Sequence, residues 1–206
     1  MRGVRFLTLE TGEPEHFWGR RRLRRQIEEM YDAGVRRVVR QGTVPAALLR
    51  EFGMTGVDVA PLRQALLPQM LDWAETVWQI PLKSGCVRLC AEETDRRVWR
   101  AADTIARRAR YIELDTGRGA DALERELRCC YGLGSGGRPV LEVCLGRRPR
   151  GGCPVLLAGT GCGGGQAMQW QAPGVEDGPE ELFAALFQSE KLEREAVKLK
   201  SVEFRA

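Results

Sequence analysis

Short apolar runs alternate with amphipathic helical patterns between residues 86 and 145. Their order is CVRLCA, TDRRVWRAADTIARRA, YIELD, ADALERELRCCYG and PVLEVCL. This succession of strand, helix, strand, helix and strand is typical of βαβ units in a parallel sheet. Such sheets bind ligands in the crevice at the carboxyl ends of their strands. The pattern therefore limits both the fold class and the loops in which a binding site is expected.

The first part of the chain predicts a second unit of the same kind. The segments at 4–9 (VRFLTL) and 35–39 (VRRVV) have the composition of strands, and the apolar spacing over 20–31 predicts a helix between them. A short helix is expected at PAALLREFG. We expect these elements to extend the sheet that the later segments form.

A longer helical pattern at 59–80 contains Pro68. Because an interior proline removes a hydrogen bond and clashes with the preceding turn, a kink or two helices are expected there. This segment would join the halves 1–80 and 81–206. We expect one continuous sheet and a single α/β domain over 1–206, since a half of about 80 residues has only a thin core.

The pattern changes after residue 145. PVLLAG and AMQWQ have the composition of two adjacent strands joined by a glycine loop. DGPEELFAALFQS has the composition of a short helix, and the tail has that of a helical turn followed by an edge strand. The complete prediction is a Rossmann-like, largely parallel open sheet with helices on both faces and an antiparallel hairpin added near the C-terminus.

Composition narrows the class of protein. Of the 206 residues 43% are apolar and 29% are charged, as is ordinary for a globular domain, and no run of about 18 apolar residues occurs. The N-terminal segment has too short an apolar run for a signal peptide. We therefore expect a cytoplasmic protein without a membrane partner. The oligomeric state does not follow from the sequence.

The seven cysteines do not form a CxxC pair or any zinc-finger spacing. We expect free thiols that serve packing. Because His16 is the only histidine, a histidine-rich transition-metal site is excluded, whereas a carboxylate magnesium site is not. No metal and no cofactor is assigned from the sequence.

Two segments match GxGxxG, but their surroundings argue against a dinucleotide fingerprint. The glycines at 132–137 follow a predicted helix and precede a strand, which is the reverse of the required order. Those at 159–164 follow a strand, but the next segment is extended rather than helical. We interpret the first as a helix end with its loop and the second as a hairpin loop.

The loop after YIEL has the required context. It comprises Asp115, Thr116, Gly117, Arg118 and Gly119 and leads into a predicted helix. The glycines permit close backbone approach, helix amides and the arginine suit an anion, and the aspartate suits a ribose hydroxyl or a metal. The alternative is an ordinary βα turn in which Asp or Thr caps the helix.

Other polar residues should gather at the same edge of the sheet. Glu92 and Thr94 follow CVRLCA, and His16 follows the first predicted strand. If the strand order reverses between the halves, these loops face each other across the crevice. His16 is the only ordinary candidate for a base that titrates near neutral pH, although solvent exposure is the commoner fate of such a residue.

The run Arg20–Arg25 suggests nucleic-acid binding. On a helix, however, these arginines surround an apolar stripe, and Glu28 and Glu29 can pair with Arg24 and Arg25 at a spacing of four. The formal charge of the chain is only +4. These features favour a solvated helix face over a phosphate-binding one.

Three functional hypotheses remain open. The first is binding of a small anionic or nucleotide-like ligand at the carboxyl edge of the sheet, with or without catalysis, since no nucleophile and base can be paired. The second is a non-catalytic regulatory or assembly protein with a degenerate ligand site. The third and least favoured is weak nucleic-acid binding through the helix of Arg20–Arg25. Fold class alone does not decide among them.

Overall fold

The structure is a computed structural model that describes residues 17–39, 45–134, 136–159, 165–175 and 177–205. The predicted strand at 4–9 and the candidate base His16 lie outside these residues. The helices are α1 (Phe17–Asp32), α2 (Ala46–Glu51), α3 (Ala60–Ala65), α4 (Leu67–Thr76), α5 (Arg96–Ala106), α6 (Ala120–Tyr131) and α7 (Glu180–Gln188). The strands are β1 (Arg37–Val38), β2 (Thr55–Gly56), β3 (Cys86–Cys90), β4 (Tyr111–Asp115), β5 (Pro139–Cys144), β6 (Val155–Leu157), β7 (Gly165–Gln171) and β8 (Lys198–Arg205).

Four strands form a parallel sheet in the order β4-β3-β5-β6. All five elements predicted between residues 86 and 145 are present, and the α/β class is confirmed. The chain passes from β3 to β4 on one side, whereas β5 lies on the other side of β3. The direction of strand addition therefore reverses between β3 and β5, and ligands bind at such a point in open α/β sheets.

The two faces of this sheet have different chemistry. Since successive strand residues point to opposite faces, the register assigns each side chain to one of them. The apolar face comprises Val87, Leu89, Ile112, Leu114, Leu141, Val143 and Leu156. The charged face comprises Cys86, Arg88, Cys90, Glu113, Asp115, Glu142 and Cys144, together with Tyr111, Val155 and Leu157.

The apolar face belongs to the main hydrophobic core. Helices α3 to α7 contribute their buried apolar side chains to this same core, together with Trp170 of β7 and Val202 of β8. A separate small cluster on the charged face contains only strand residues, among them Leu157. The described residues thus differ from the expected cover of helices on both faces, because the alternate positions of β3 to β5 carry charges and thiols rather than apolar side chains.

The N-terminal elements form a sheet of their own. Strands β1 and β2 pair in parallel over two residues each and do not join the larger sheet. A separate core under them contains Leu23, Ile27, Leu49 and Met54. The expectation of one continuous sheet is therefore wrong for the described residues. The backbone of the predicted strand pairs with the segment after α2, where the Thr55 amide donates to the Arg36 carbonyl at 3.0 Å and the Val57 amide to the Val38 carbonyl at 3.1 Å.

The predicted break at Pro68 is confirmed. Helix α3 ends at Ala65 and α4 begins at Leu67, so that Pro68 lies in the first turn of α4, where no intrahelical N–H is needed. Among the described helices, none is long and apolar enough to cross a membrane.

The antiparallel addition is present with a different partner from the one expected. Strand β7 pairs with β8 of the tail, while β6 pairs in parallel with β5. The side chain of Gln166 explains why β7 does not add to β6. It accepts a hydrogen bond from the Leu157 amide at 2.7 Å and donates one to the Val155 carbonyl at 3.0 Å, so a side chain occupies that edge of β6.

Helix α1 is amphipathic, as its spacing predicts. Leu23 and Ile27 are buried, and Arg25 pairs with Glu29 at 3.2 Å on the exposed side. Arg24 pairs with Glu51 of α2 at 3.5 Å rather than with Glu28. These contacts indicate that part of the arginine run forms a solvated helix face.

Candidate functional site

The loops that follow β3 and β4 pack against each other at the carboxyl edge of the sheet. The Thr94 hydroxyl donates to the Thr116 hydroxyl at 3.0 Å. A Cβ atom on Gly117 would lie 2.2 Å from the Glu92 carbonyl oxygen, and one on Gly119 would lie 3.2 Å from Thr94 Cβ. The structure therefore brings these five predicted residues together, and the two glycines are required by contact between the loops.

Asp115 is buried and engaged by two arginines that sequence reasoning did not select. Arg147 Nη1 lies 2.7 Å from Asp115 Oδ1, and Arg150 lies 2.6 Å from Oδ2 through Nε and 2.7 Å from Oδ1 through Nη2. Asp115 is 6% exposed, whereas the side chains of Arg147 and Arg150 are 44% and 55% exposed. The carboxylate thus serves as a buried anchor that holds two half-exposed guanidinium groups at the end of β4.

Helix α6 begins five residues after Asp115 in the sequence. Its N-cap is Gly119, with a φ of +93°, and no side chain caps its first amides. The alternative in which Asp or Thr caps this helix is therefore wrong. Arg118, next to the N-cap, is exposed. Uncapped amides at a helix N-terminus favour a negatively charged group.

A cavity of about 350 Å³ lies where the strand order reverses. It is bordered by the loop after β3, the first turn of α5 and the residues after β5, and its lining is Glu92, Glu93, Asp95, Arg97, Val98, Leu145 and Gly146. The Asp95 side chain accepts hydrogen bonds from the amides of Arg97 and Val98. Burial by itself raises the pKa of Asp95, but these amides and the Arg97 guanidinium outweigh it and hold that pKa below 3.8. The acidic lining of this cavity suits the hydroxyl groups of a ligand better than the phosphates of a ligand.

A larger groove of about 710 Å³ lies away from the strand ends. Its walls come from α3, α4, α5 and α7 and include Trp99, Arg100 and Phe187. Among the described residues, no loop that follows a strand of the parallel sheet contributes to it. The smaller cavity is the one at the position where this class of sheet binds ligands.

The charged face continues inward as an ion-pair network. Arg88 lies 3.0 Å from Glu113 Oε1 through Nε and 2.5 Å from Glu142 Oε1 through Nη1. The hydrogen bond to Glu113 is the largest cause that raises the pKa of Arg88, and Glu142 adds to it. The Gly151 amide donates to Glu142 Oε2 at 3.3 Å, so the loop between β5 and β6 contacts this face.

Sequence analysis selected Asp115 but not the arginines that contact it. Arg147 and Arg150 belong to RRPRGG, which has the composition of a polar turn. The sequence feature that indicates these arginines is the position of their segment directly after PVLEVCL, at the carboxyl end of a strand predicted to be parallel. His16 lies outside the described residues, so its relation to the site stays a prediction.

Comparisons with family models, with curated proteins and with solved structures find no match to this chain.

Proposed function

We propose that this chain binds a small anionic, nucleotide-like ligand at the carboxyl edge of a Rossmann-like sheet. The observation that carries the proposal is the pair of guanidinium groups, Arg147 and Arg150, held by the buried carboxylate of Asp115. Each guanidinium has five N–H donors in a planar fork, and those not bonded to Asp115 remain available for a phosphate or carboxylate.

Charge and burial together favour an anion at this place. Two acids of the charged face lie inward, with Glu142 fully buried and Asp115 nearly so, while the side chains of Arg147 and Arg150 are about half exposed. At Asp115, an approaching ligand therefore meets the two guanidinium groups before the carboxylate. The exposed Arg118 and the uncapped amides of α6 extend that surface along the next loop.

The neighbouring cavity supports a ligand that is larger than a phosphate. Glu92 and Glu93 line it, and carboxylates are the usual partners of ribose hydroxyl groups in sheets of this class. We assign the anionic part of the ligand to the arginines and its hydroxyl-bearing part to this cavity. Thr94, Thr116, Gly117 and Gly119 hold the two loops in register, which makes them positioning residues for the site. No reaction is proposed, because the site as described pairs no nucleophile with a base.

The experiment is a thermal-unfolding screen of the full chain. The panel contains nucleotides, dinucleotides, nucleotide sugars, phosphorylated metabolites and magnesium. A ligand at about 100 times its Kd stabilises the fold by about 2.7 kcal/mol, and each kcal/mol raises the midpoint by roughly 2–4 °C in a domain of this size. We expect phosphate-bearing members of the panel to raise the midpoint.

Single substitutions then locate the ligand. We expect Arg147→Ala and Arg150→Ala each to weaken binding about 10- to 100-fold, because the free energy of a hydrogen bond to a charged group corresponds to a change of this size. In each of these two variants, the remaining arginine still pairs with Asp115. Arg118→Ala should weaken binding as well. Arg148→Ala is the matched control, since Arg148 is an exposed neighbour in the same loop. Unchanged affinity in the first three variants, or no stabilisation by any member of the panel, contradicts the proposal.

A further inference from the structure

Two buried cysteines and a buried glutamate lie side by side on the charged face. Cys90 and Cys144 are register partners at the carboxyl ends of β3 and β5, and Glu142 precedes Cys144 by two residues on the same face. All three residues are 0% exposed. Two sulfur atoms and a carboxylate oxygen from these side chains lie within 4.8 Å of one another.

We infer that Cys90, Cys144 and Glu142 bind a zinc ion. Zinc takes thiolate and carboxylate ligands in tetrahedral geometry, with Zn–S distances of about 2.3 Å and Zn–O distances of about 2.0–2.2 Å. Ligand atoms around such an ion are separated by somewhat less than 4.8 Å, so small side-chain movements close the site. Two sulfur ligands select zinc over magnesium, which prefers oxygen ligands.

The surroundings of Glu142 fit the role of a metal ligand. One of its oxygens receives Arg88 Nη1 at 2.5 Å, and the other receives the Gly151 amide at 3.3 Å. Metal-binding carboxylates are commonly oriented by such outer contacts. A zinc ion with two thiolates and one carboxylate carries one net negative charge, and the adjacent Arg88 guanidinium offsets it.

Three protein ligands leave a fourth tetrahedral position. Cys153 belongs to the loop between β5 and β6, whose Gly151 amide contacts Glu142. A water molecule or this thiol would complete the coordination. With the thiol as the fourth ligand, the metal would tie the β5–β6 loop, which also carries Arg147 and Arg150, to the sheet.

The test uses the full chain with zinc alone as the probe. The protein is loaded with zinc, washed with a weak chelator and examined by elemental mass spectrometry, and its affinity is measured by competition with a chelating dye. We expect about one tightly held zinc per chain. Cys90→Ser and Cys144→Ser should each lower the affinity more than about 100-fold, because loss of an outer contact alone costs about 10- to 100-fold. Cys129→Ser, on the exposed side of α6, should leave it unchanged.

Cobalt provides a second measurement if a serine variant does not fold. Cobalt(II) bound to the unaltered chain should show sulfur-to-cobalt charge-transfer absorption, which reports thiolate ligation directly. Zinc that washes off, a cobalt spectrum without that band, a Cys90–Cys144 disulfide in freshly purified chain, or an equal loss of affinity in Cys129→Ser overturns the inference. Arg147→Ala should retain zinc, so failure of the anion proposal and failure of the zinc site are separate outcomes.

Discussion

Strand register fixes the side chains of both faces of the four-stranded sheet, but different interactions stabilise the two faces. On the apolar face, Val87, Leu89 and Val143 join the main core with the helices. On the charged face, Arg88 lies between Glu113 and Glu142, with Glu142 fully buried. Burial of apolar surface is favourable by itself, whereas burial of a charge is tolerated only when it is paired. The apolar face therefore stabilises the fold by burial alone, whereas the charged face depends on charge pairing and holds its charged groups in fixed positions.

This difference explains why the candidate sites belong to one face only. Asp115 and Glu142 are acids that would be costly inside a protein without partners, and each is held by guanidinium groups. The partners of Asp115 reach solvent, whereas Arg88 is only 14% exposed. We therefore propose the anion site at the outer end of the charged face and the metal site at its inner part.

The largest effect is expected from Arg88→Met. This change leaves Glu142 buried without its cation, and breaking a buried pair in this way costs about 3–5 kcal/mol. Urea unfolding in the presence of a chelator measures it. The double variant Arg88→Met, Glu142→Leu removes both buried charges and should recover much of the loss. If the single variant is as stable as the original chain, the charged face does not depend on pairing.

A comparable change on the opposite face is Leu89→Ala. Leu89 is 0% exposed, and truncation of a buried leucine costs about 2–5 kcal/mol through lost burial and the cavity left behind. The same urea experiment applies, with Leu89→Met as the volume-conserving control, which should cost less than about 1.5 kcal/mol. Zinc affinity should be nearly unchanged in both variants. A large loss of zinc binding here would mean that the two faces are not separable.

The smallest effect is expected from an ion pair outside the sheet. Asp103 of α5 accepts hydrogen bonds from Arg107 and from the Tyr131 hydroxyl, and these hold the pKa of Asp103 below 3.8. A lowered folded-state pKa adds stability above the unfolded value, and this stability is lost as the pH falls through the folded-state pKa.

Asp103→Asn should therefore lower stability at neutral pH but not in strong acid. The loss should be smaller than in either sheet variant, because Asp103 and Arg107 are both substantially exposed. Thermal midpoints from neutral pH to about pH 2 check this. A loss at neutral pH as large as that of Arg88→Met would contradict the contrast between buried and exposed pairs.

Local patterns were sufficient to predict the central elements. Strands β3, β4 and β5 are continuous apolar or alternating runs bounded by polar turns, and α5 and α6 have strong helical spacing. The same reasoning placed Asp115 at a strand end and Pro68 at a helix boundary. The β6–β7 hairpin was predicted wrongly, because the pattern shows that a segment is extended but not which strand it pairs with.

The sequence by itself determined the α/β class, the order of the central elements and the position of the loop after β4, since these depend on side-chain periodicity and turn residues. Tertiary structure decided that β5 lies beside β3, which brings Cys90 to Cys144 and Arg88 to Glu142. It also brought Arg147 and Arg150 to an aspartate 32 and 35 residues earlier. These contacts arise from strand order and from the requirement that buried charges be paired, and neither is expressed in the local pattern of the chain.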